Sequence, residues 1–206
     1  MVLAGQVRAM PETAGVVLAG GYSTRYGERD KALVPVDGTP MVRRVVDRLG
    51  SVVDAVVVNC RQDQREGFAD ALAGRDVPVA FALDPVEDAG PLAGLGTALS
   101  AVDAPVTVVV ACDMPSVDPG FLAAMIERLD GYDAVVPAPD GYRQPTQSVL
   151  RTEAARAAVD AALAAGESSL RAAFDRLDAL ELDDATLSEL GAAESLLDVN
   201  RPEDLK

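Results

Sequence analysis

The sequence predicts one α/β domain with a mostly parallel sheet that helices cover on both faces. Three observations favour this class. The chain has 206 residues, and 49% of them are hydrophobic, which is enough for one substantial core. Short valine-rich runs alternate with segments of helical periodicity. The runs are also apolar without interruption, which is typical of strands that are buried on both faces.

The apolar runs predict strands because each is short, rich in β-branched residues and bounded by glycine, proline or polar residues. These strands are GVVLAG (15–20), AVVVNC (55–60), PVAFAL (78–83), PVTVVVAC (105–112), DAVVPAP (133–139) and TQSVLR (146–151). A late strand is expected in SLLDVNRPEDL (195–205), where it precedes a turn and a short helix opened by Pro202.

The segments between the runs have the apolar spacing of amphipathic helices. These helices are PMVRRVVDRLG (40–50), GPLAGLGTALSAV (90–102), PGFLAAMIERLD (119–130), EAARAAVDAALAAG (153–166) and SSLRAAFDRL (168–177). No repeat or linker divides the chain. We therefore expect one domain over residues 15–206, preceded by a poorly ordered extension over residues 1–14.

Composition excludes several classes of function. The net charge of -15 excludes the generic basic surface that binds DNA or RNA. Acidic residues spread along the whole chain, with lysine depleted, are typical of a surface suited to high salt. The chain has no histidine, which excludes histidine triads, histidine metal sites and imidazole acid–base catalysis.

The two cysteines favour a cytoplasmic protein. Cys60 and Cys112 each end a valine-rich run that predicts a buried strand, where reduced thiols are expected instead of a disulfide framework. No apolar run approaches the roughly 20 residues of a membrane helix, so no membrane partner is expected. The first 14 residues lack the hydrophobic region of a signal peptide.

The candidate functional residues follow the predicted strands. Ligands of open α/β sheets bind beyond the carboxyl ends of the strands, so polar residues at these ends are expected to share one edge. They are the segment 20–31, Asn59, Asp84, Asp113 and the segment 198–200.

The stretch LAGGYSTRYGERDKAL (18–33) predicts a phosphate-binding loop. Five residues separate Gly21 from Gly27, so it is neither a Walker A sequence nor a dinucleotide fingerprint. Its amides can face a triphosphate, with Arg25 and Lys31 supplying positive charge. The alternative is a tight turn with solvated charges. Lys31 favours the phosphate site, because the only other lysine is Lys206 and a compact ammonium suits a pyrophosphate.

The other strand ends carry groups with two possible roles. Asp113, in VVVACDMP (108–115), can hold Mg²⁺ on nucleotide phosphates, or it can cap the helix expected at 118–129. Asn59 and Asp84 can contact a base or ribose, or satisfy local backbone amides. GPLAG (90–94) offers a helix N-terminus near a phosphate or base, although close packing of that helix on the sheet also explains its glycines.

These motifs together resemble those of a known family. LAGGYSTRYGERDKAL resembles the nucleotidyltransferase signature that begins LAGG-x-S-x-R, which many sugar and cofactor nucleotidyltransferases share. Combined with GPLAG, ACDMP, RQPTQSVL and DVNRPEDL, it is similar to the molybdenum cofactor guanylyltransferase family over about residues 15–205. Tyr26 departs from the methionine or phenylalanine usual at its position.

The resemblance implies a Rossmann-like, three-layer α/β/α sandwich of the nucleotide-diphospho-sugar transferase type, with a mixed and mostly parallel sheet. It implies transfer of GMP from GTP to the phosphate of molybdopterin, with release of pyrophosphate, to form a guanine dinucleotide cofactor. The partners implied are GTP, molybdopterin and Mg²⁺, and transient contact with cofactor-delivery or molybdoenzyme proteins is compatible with that role. Cytidylyltransferases of the same fold typically have LAAG, so Gly20 and Gly21 favour GTP.

The resemblance also implies a role for each candidate residue. The catalytic set is Arg25, Lys31 and Asp113, of which Asp113 is the metal ligand. The cofactor-binding set is Leu18, Ala19, Gly20, Gly21, Lys31, Asn59, Asp84, Gly90, Asp113 and Asn200. The segments around Arg143–Gln147 and Asn200 are expected to face the pterin.

A chain without histidine suits this reaction. A phosphate monoester has a second pKa near ~6 and is mostly dianionic at neutral pH, so it needs no general base. The alternatives are another acceptor, such as cobinamide phosphate, phospholactate or a sugar phosphate, cytidylyl in place of guanylyl transfer, or a GTP-binding regulator without turnover. The presence of both Lys31 and Asp113 argues against the regulator.

Overall fold

The computed structural model describes residues 12–21, 30–86 and 89–199. Arg25, Asn200, the segment 1–11 and the helix expected after Pro202 lie outside these residues.

Nine strands and seven α-helices occur in the described part of the chain. The strands are β1 (Thr13–Leu18), β2 (Pro35–Val36), β3 (Thr39–Pro40), β4 (Ala55–Cys60), β5 (Val79–Leu83), β6 (Val106–Ala111), β7 (Ala134–Pro137), β8 (Gln147–Arg151) and β9 (Ala179–Leu182). The helices are α1 (Met41–Leu49), α2 (Arg65–Ala71), α3 (Pro91–Ser100), α4 (Pro119–Glu127), α5 (Thr152–Ala164), α6 (Leu170–Phe174) and α7 (Asp184–Glu189).

Seven strands form one mixed sheet in the order β5-β4-β1-β6-β8-β7-β9, and β2 and β3 form a separate hairpin. β1 lies between β4 and β6 and is parallel to both, while β4 is also parallel to β5. β8 runs antiparallel to both of its neighbours, β6 and β7. The prediction of a mostly parallel sheet is confirmed. The carboxyl ends of β1, β4, β5 and β6 therefore share one edge.

Two apolar cores lie on opposite faces of the sheet, which confirms the three-layer sandwich. One core contains buried residues of α1, α2, α4 and α7, including Phe68 and Phe121. The other contains buried residues of α3, α5 and α6, including Leu95 and Phe174. Valines of the central strands alternate between the two cores, since successive side chains of a strand point to opposite faces.

A glycine in the central strand sets how closely α1 approaches the sheet. A Cβ at Gly15 would lie 2.5 Å from Cδ2 of Leu49, the last residue of α1. Leu49 is fully buried and occupies the space that a side chain on β1 would otherwise fill. The absence of a side chain at Gly15 therefore lets α1 pack directly on β1, the strand that leads to residues 19–21, which we call the glycine-rich loop.

The first strand begins at Thr13, two residues before the expected start of the domain. The carboxylate of Asp54 explains this start. Its Oδ2 accepts hydrogen bonds from the amides of Glu12 and Thr13 and from the Thr13 hydroxyl at 3.0–3.1 Å. Thr13 and Ala14 are therefore part of the sheet.

The end of the described chain differs from the expected late strand. Residues 195–199 form a turn and then an irregular segment. Val199 donates its amide to the carbonyl of Asp113 at 2.8 Å, so this segment lies at the carboxyl edge of the sheet without pairing as a strand. The hairpin β2–β3, the strand β9 and the helices α2 and α7 were not predicted.

Cys60 and Cys112 are buried free thiols. Among the described residues, no helix is both long and apolar enough to cross a membrane.

Candidate active site

A cavity of about 610 Å³ opens at the carboxyl edge of the sheet, between the ends of β1, β4, β5 and β6 and the start of α3. The expected backbone contacts line it, namely Leu18, Ala19, Gly20, Gly21 and Gly90. The expected side chains line it as well, namely Lys31, Asn59, Asp84 and Asp113. The described residues of the expected catalytic and cofactor-binding sets thus meet at one cavity.

Lys31 and Asp113 form an ion pair in the cavity wall. Nζ of Lys31 donates to Oδ2 of Asp113 at 2.9 Å, and their side chains are 13% and 32% exposed. Lys31 begins a short 3-10 turn over Lys31–Leu33, and Oδ1 of Asp30 caps that turn by accepting from the amide of Ala32 at 2.9 Å. The ammonium is therefore positioned by a fixed turn and by a carboxylate in the same wall of the cavity.

The alternative role of Asp113 as a helix cap is wrong. The residue that caps α4 is Asp118, whose Oδ1 accepts from the amide of Phe121 at 2.7 Å. The carboxylate of Asp113 instead contacts Lys31 and is open to the cavity. A carboxylate in this position is available to a bound cation.

Asn59 and Asp84 form a second polar pair on the opposite side of β1. Nδ2 of Asn59 donates to Oδ1 of Asp84 at 2.6 Å and to the carbonyl of Ala82 at 3.2 Å. Asn59 is only 2% exposed, so its amide is fixed by these partners. The structure keeps both roles open for this pair, since it satisfies local backbone and also lines the cavity.

Two glycines leave the space that the Asn59–Asp84 pair occupies. A Cβ at Gly20 would overlap Oδ2 of Asp84, and one at Gly94 would lie 2.6 Å from Oδ1 of Asn59. Gly94 is within α3, so the helix start and the glycine-rich loop both approach this pair closely. The expectation that the glycines of GPLAG allow close packing is therefore met at Gly94.

The helix α3 starts at the cavity. Gly90 precedes it with φ of +87°, a conformation that favours glycine, and Pro91 occupies its first turn. The amide of Leu92 donates to the carbonyl of Ser168 at 3.2 Å, which ties the helix start to the segment before α6. The positive end of the helix dipole thus faces the same cavity as Lys31.

Two residues behind the glycine-rich loop were missed from the sequence. Nη1 of Arg61 donates to the carbonyls of Gly20 and Gly21 at 3.1 and 3.0 Å. Nε2 of Gln64 donates to the carbonyl of Ala19 at 3.1 Å. The only signal in the sequence is their position directly after β4, since an arginine and a glutamine after a buried strand are common surface residues.

The segment 143–147 only partly faces the cavity. Thr146 lines it, and its carbonyl accepts from the amide of Ala111 at 2.7 Å. Arg143 instead donates to Glu181 at 2.7 Å and to the carbonyl of Phe174 at 3.0 Å. Gln147 is fully buried and donates to Oγ of Ser195 at 2.8 Å.

Neither thiol is available as a nucleophile. Burial raises the pKa of Cys60 to about 11, and the nearby Asp84 adds to the shift. Burial also raises the pKa of Cys112, a residue that lines the cavity, far above its ordinary value. Since only the thiolate is reactive, both cysteines are apolar packing groups at neutral pH.

Comparison with known proteins identifies close relatives over nearly the full chain. A family model described as the MobA-like NTP transferase domain matches residues 15–181. A probable molybdenum cofactor guanylyltransferase from Natronomonas pharaonis is 44% identical over 197 residues, or 96% of each chain. One from Haloferax mediterranei is 37% identical over 94% of this chain and 91% of its own.

Solved structures share the fold at lower identity. Molybdopterin-guanine dinucleotide biosynthesis protein A from Archaeoglobus fulgidus superposes with a TM-score of 0.74 at 24% identity, covering 93% of this chain and 94% of that one. A 4-diphosphocytidyl-2C-methyl-D-erythritol synthase from Anaerococcus prevotii gives 0.73 at 15% identity, covering 94% of both. These likenesses concern the fold alone.

Proposed function

This chain belongs to the MobA-like NTP transferase family and is a nucleotidyltransferase, and we propose that it transfers GMP from GTP to the phosphate of molybdopterin with release of pyrophosphate. The Lys31–Asp113 pair beside the glycine-rich loop carries the proposal, because it brings a cation and a metal-binding carboxylate to one wall of the cavity. The names of relatives that align over almost the whole chain support the choice of GTP and molybdopterin.

Lys31 neutralises the phosphates of GTP in this proposal. A triphosphate that enters the cavity competes with Asp113 for the ammonium, which is already within hydrogen-bonding distance of the wall. A cation held on a fixed turn can stabilise the negative charge that develops on the departing pyrophosphate, and it needs little reorganisation to do so. Arg25 is proposed as the second cation.

The residues of the cavity fit Mg²⁺ held jointly by protein and nucleotide. Mg²⁺ at nucleotide sites takes one or two carboxylates together with phosphate oxygens and water, and Asp113 supplies one carboxylate. Among the described residues, no group of three acidic, cysteine or histidine side chains could hold a metal alone. When bound, the ion supplies further positive charge to the phosphates.

The nucleophile in this proposal is the phosphate of the acceptor. One of its oxygens forms a bond to the α-phosphorus of GTP, and the bond between that phosphorus and the oxygen bridging to the β-phosphate breaks. The electron pair leaves with pyrophosphate. No proton has to be removed from a dianionic phosphate, which agrees with a chain that lacks histidine and whose thiols are protonated.

The Asn59–Asp84 pair is proposed to contact the guanosine. It lies across the cavity from Asp113, beyond the glycine-rich loop, so a nucleotide lying over the loop would reach both. Sites built on fixed, buried hydrogen-bonding groups reject analogues that leave those groups unpaired. This arrangement supports selection of one base over the others.

A competition assay tests the proposed function. The protein is incubated with equal concentrations of GTP, CTP, ATP and UTP, Mg²⁺ and either metal-free or molybdenum-loaded molybdopterin, and the adducts are separated by mass. We expect the GMP adduct to dominate and pyrophosphate to form in equal amount. A dominant CMP adduct would overturn the choice of base, and turnover only with another phosphate monoester would overturn the choice of acceptor.

The dependence of rate on pH tests the nucleophile. We expect kcat/KM to rise with pH through about 6, where the acceptor phosphate becomes a dianion, and then to stay level through neutral pH. The Cys60→Ala variant should give the same profile, because the thiol that it removes is protonated throughout this range in the wild type. A rise centred well above pH 7 would contradict a mechanism without a general base.

A further inference from the structure

A buried polar cluster lies directly behind the glycine-rich loop and contacts three of its carbonyls. Arg61 is 9% exposed and Gln64 is 4% exposed, although both are long polar side chains outside the strands. Arg61 donates from Nη1 to two successive carbonyls, those of Gly20 and Gly21. Gln64 donates to the preceding carbonyl, that of Ala19.

These contacts fix the direction of the loop amides. In a planar trans peptide the N–H and C=O bonds point in opposite directions. When Gln64 holds the carbonyl of Ala19, the amide of Gly20 must point away from the cluster, and Arg61 has the same effect on the amide of Gly21. Both glycines line the cavity. Within residues 12–21, 30–86 and 89–199, no backbone or side-chain acceptor takes a hydrogen bond from either amide.

The cluster also extends to the turn that carries Lys31. Nε2 of Gln64 donates to Oδ2 of Asp30 at 2.6 Å, and Nη2 of Arg61 lies 3.9 Å from the same oxygen. The other carboxylate oxygen of Asp30 caps the Lys31–Leu33 turn. One side-chain network therefore connects residues 19–21 with the residue next to Lys31.

The cluster compensates the charge of a buried guanidinium. Nε and Nη2 of Arg61 donate to the two oxygens of Asp63 at 3.1 and 3.2 Å, and these bonds hold the pKa of that carboxyl below its usual range. The backbone amide of Arg61 donates to Oε1 of Gln64 at 2.9 Å. A buried guanidinium is costly unless its donors are bonded, and here they bond to loop carbonyls on one side and to the exposed carboxylate of Asp63 on the other, which indicates a rigid support.

We propose that Arg61 and Gln64 are positioning residues that hold the carbonyls of Ala19, Gly20 and Gly21 and thereby turn the loop amides towards the phosphates of the nucleotide. This inference rests on the proposed GTP site. Amides that point into one concavity bind anions, and fixing them before the ligand arrives lowers the cost of binding. Neither residue needs to touch the nucleotide.

Calorimetric titration of GTP and guanosine tests the proposal with Arg61→Met and Gln64→Met. Losing a hydrogen bond from a charged donor lowers affinity by about 10- to 100-fold. We expect Arg61→Met to lower the affinity for GTP by that factor and to leave the affinity for guanosine unchanged. Gln64→Met leaves the net charge of the protein unchanged, and it should lower the affinity for GTP by about 3- to 10-fold. A merely structural role would weaken both ligands equally.

Arg65→Met is the matched control. It removes the same charge four residues further on, from an exposed guanidinium 5.7 Å from the ring of Phe81, and no described contact joins it to the loop. We expect this variant to bind GTP like the wild type. An equal loss in Arg65→Met, or no loss in Gln64→Met, would overturn the proposal.

Hydrogen–deuterium exchange separates failure of this proposal from failure of the proposed function. If the wild type binds none of the four nucleoside triphosphates, the proposed function fails. The effect of Arg61 and Gln64 on the backbone of residues 19–21 can still be measured without ligand. We expect the amide of Ala19, which donates to the carbonyl of Asn59 at 3.0 Å, to exchange faster in Gln64→Met and Arg61→Met than in Arg65→Met. Equal exchange in all three would overturn the proposal. If Arg61→Met does not fold, Gln64→Met decides alone.

Discussion

The two halves of the sheet place basic residues differently. In the half formed by β5, β4, β1 and β6, Lys31 lines the cavity at the carboxyl edge. In the half formed by β8, β7 and β9, Arg143 and Arg151 join neighbouring segments, through Glu181 and Phe174 in one case and the carbonyl of Tyr132 in the other. The basic residue proposed to serve the chemistry is therefore on a short turn, and these two arginines connect neighbouring segments of the fold.

Strand direction explains part of this difference. A parallel strand brings the residues that follow it to the carboxyl edge, as in Asp84 and Asp113. β8 runs in the opposite direction, so the residues before it lie at this edge, and Thr146 lines the cavity while Arg151 lies at the far end. For an antiparallel strand, the residues that precede the strand are therefore the ones expected at the carboxyl edge of its parallel neighbours.

The largest expected effect is a loss of turnover when the basic residue at the cavity is removed. Lys31→Met removes one charge next to the reacting phosphates, and loss of such a contact typically lowers turnover by about 10²–10³. Stability should change little, since a partly exposed ion pair contributes about 1 kcal/mol or less. Pyrophosphate release at saturating GTP and the thermal midpoint are the measurements, and near-wild-type turnover would contradict the role of Lys31.

Asp113→Asn gives the next effect. The amide keeps the shape but is a poorer ligand for Mg²⁺, so the gain in GTP affinity on adding Mg²⁺ should shrink by about tenfold or more. Calorimetry with and without Mg²⁺ measures it. Asp118→Asn is the control, because asparagine caps a helix about as well as aspartate, so this variant should keep both the stability and the Mg²⁺ effect. Equal Mg²⁺ dependence in wild type and Asp113→Asn would exclude the metal role.

Arg143→Met tests a basic residue that joins neighbouring segments away from the cavity. Its partners Asp175 and Glu181 are about half exposed, so we expect a loss of about 1 kcal/mol in the free energy of unfolding. The KM for the pterin substrate should stay at the wild-type value. Urea unfolding measures the stability, and steady-state kinetics measure the KM. A raised KM with unchanged stability would indicate that Arg143 contacts the acceptor, as the sequence analysis expected.

The smallest effect concerns the start of β1. Hydrogen bonds from the amide and hydroxyl of Thr13 lower the pKa of Asp54. A lowered pKa in the folded state adds stability above the ordinary carboxyl pKa of about 4, and that stability is lost as the pH falls through this range. Asp54→Asn should therefore be less stable than wild type at pH 7. The difference should shrink as the pH falls through the lowered pKa of Asp54, and a difference that does not change with pH would contradict the assignment.

The sequence predicted the parallel half well because each of its strands is buried on both faces and is a continuous apolar run. It missed β9, whose ALEL pattern is short and only partly buried, and the two-residue strands of the hairpin, which have no periodicity. It also assigned a strand to residues near 195–199, where apolar residues pack without pairing.

The candidate site was predictable where a motif ends a strand and unpredictable where contacts are long-range. Lys31 and Asp113 follow recognisable motifs, and their proximity follows from the parallel order of β1 and β6. Arg61 and Gln64 have no such pattern. Their function depends on three carbonyls about 40 residues earlier, and only the fold brings these together.

The two glycines of the LAGG motif are expected to differ in how many substitutions they tolerate. A Cβ at Gly20 would overlap the carboxylate of Asp84, whereas a Cβ at Gly21 meets no atom of the described residues within 4 Å. In a saturation library selected for activity, position 20 should accept fewer residues than position 21, where small residues such as alanine and serine are expected. An alignment that weights both glycines equally would miss this asymmetry, because identical letters in one motif can be under different constraints.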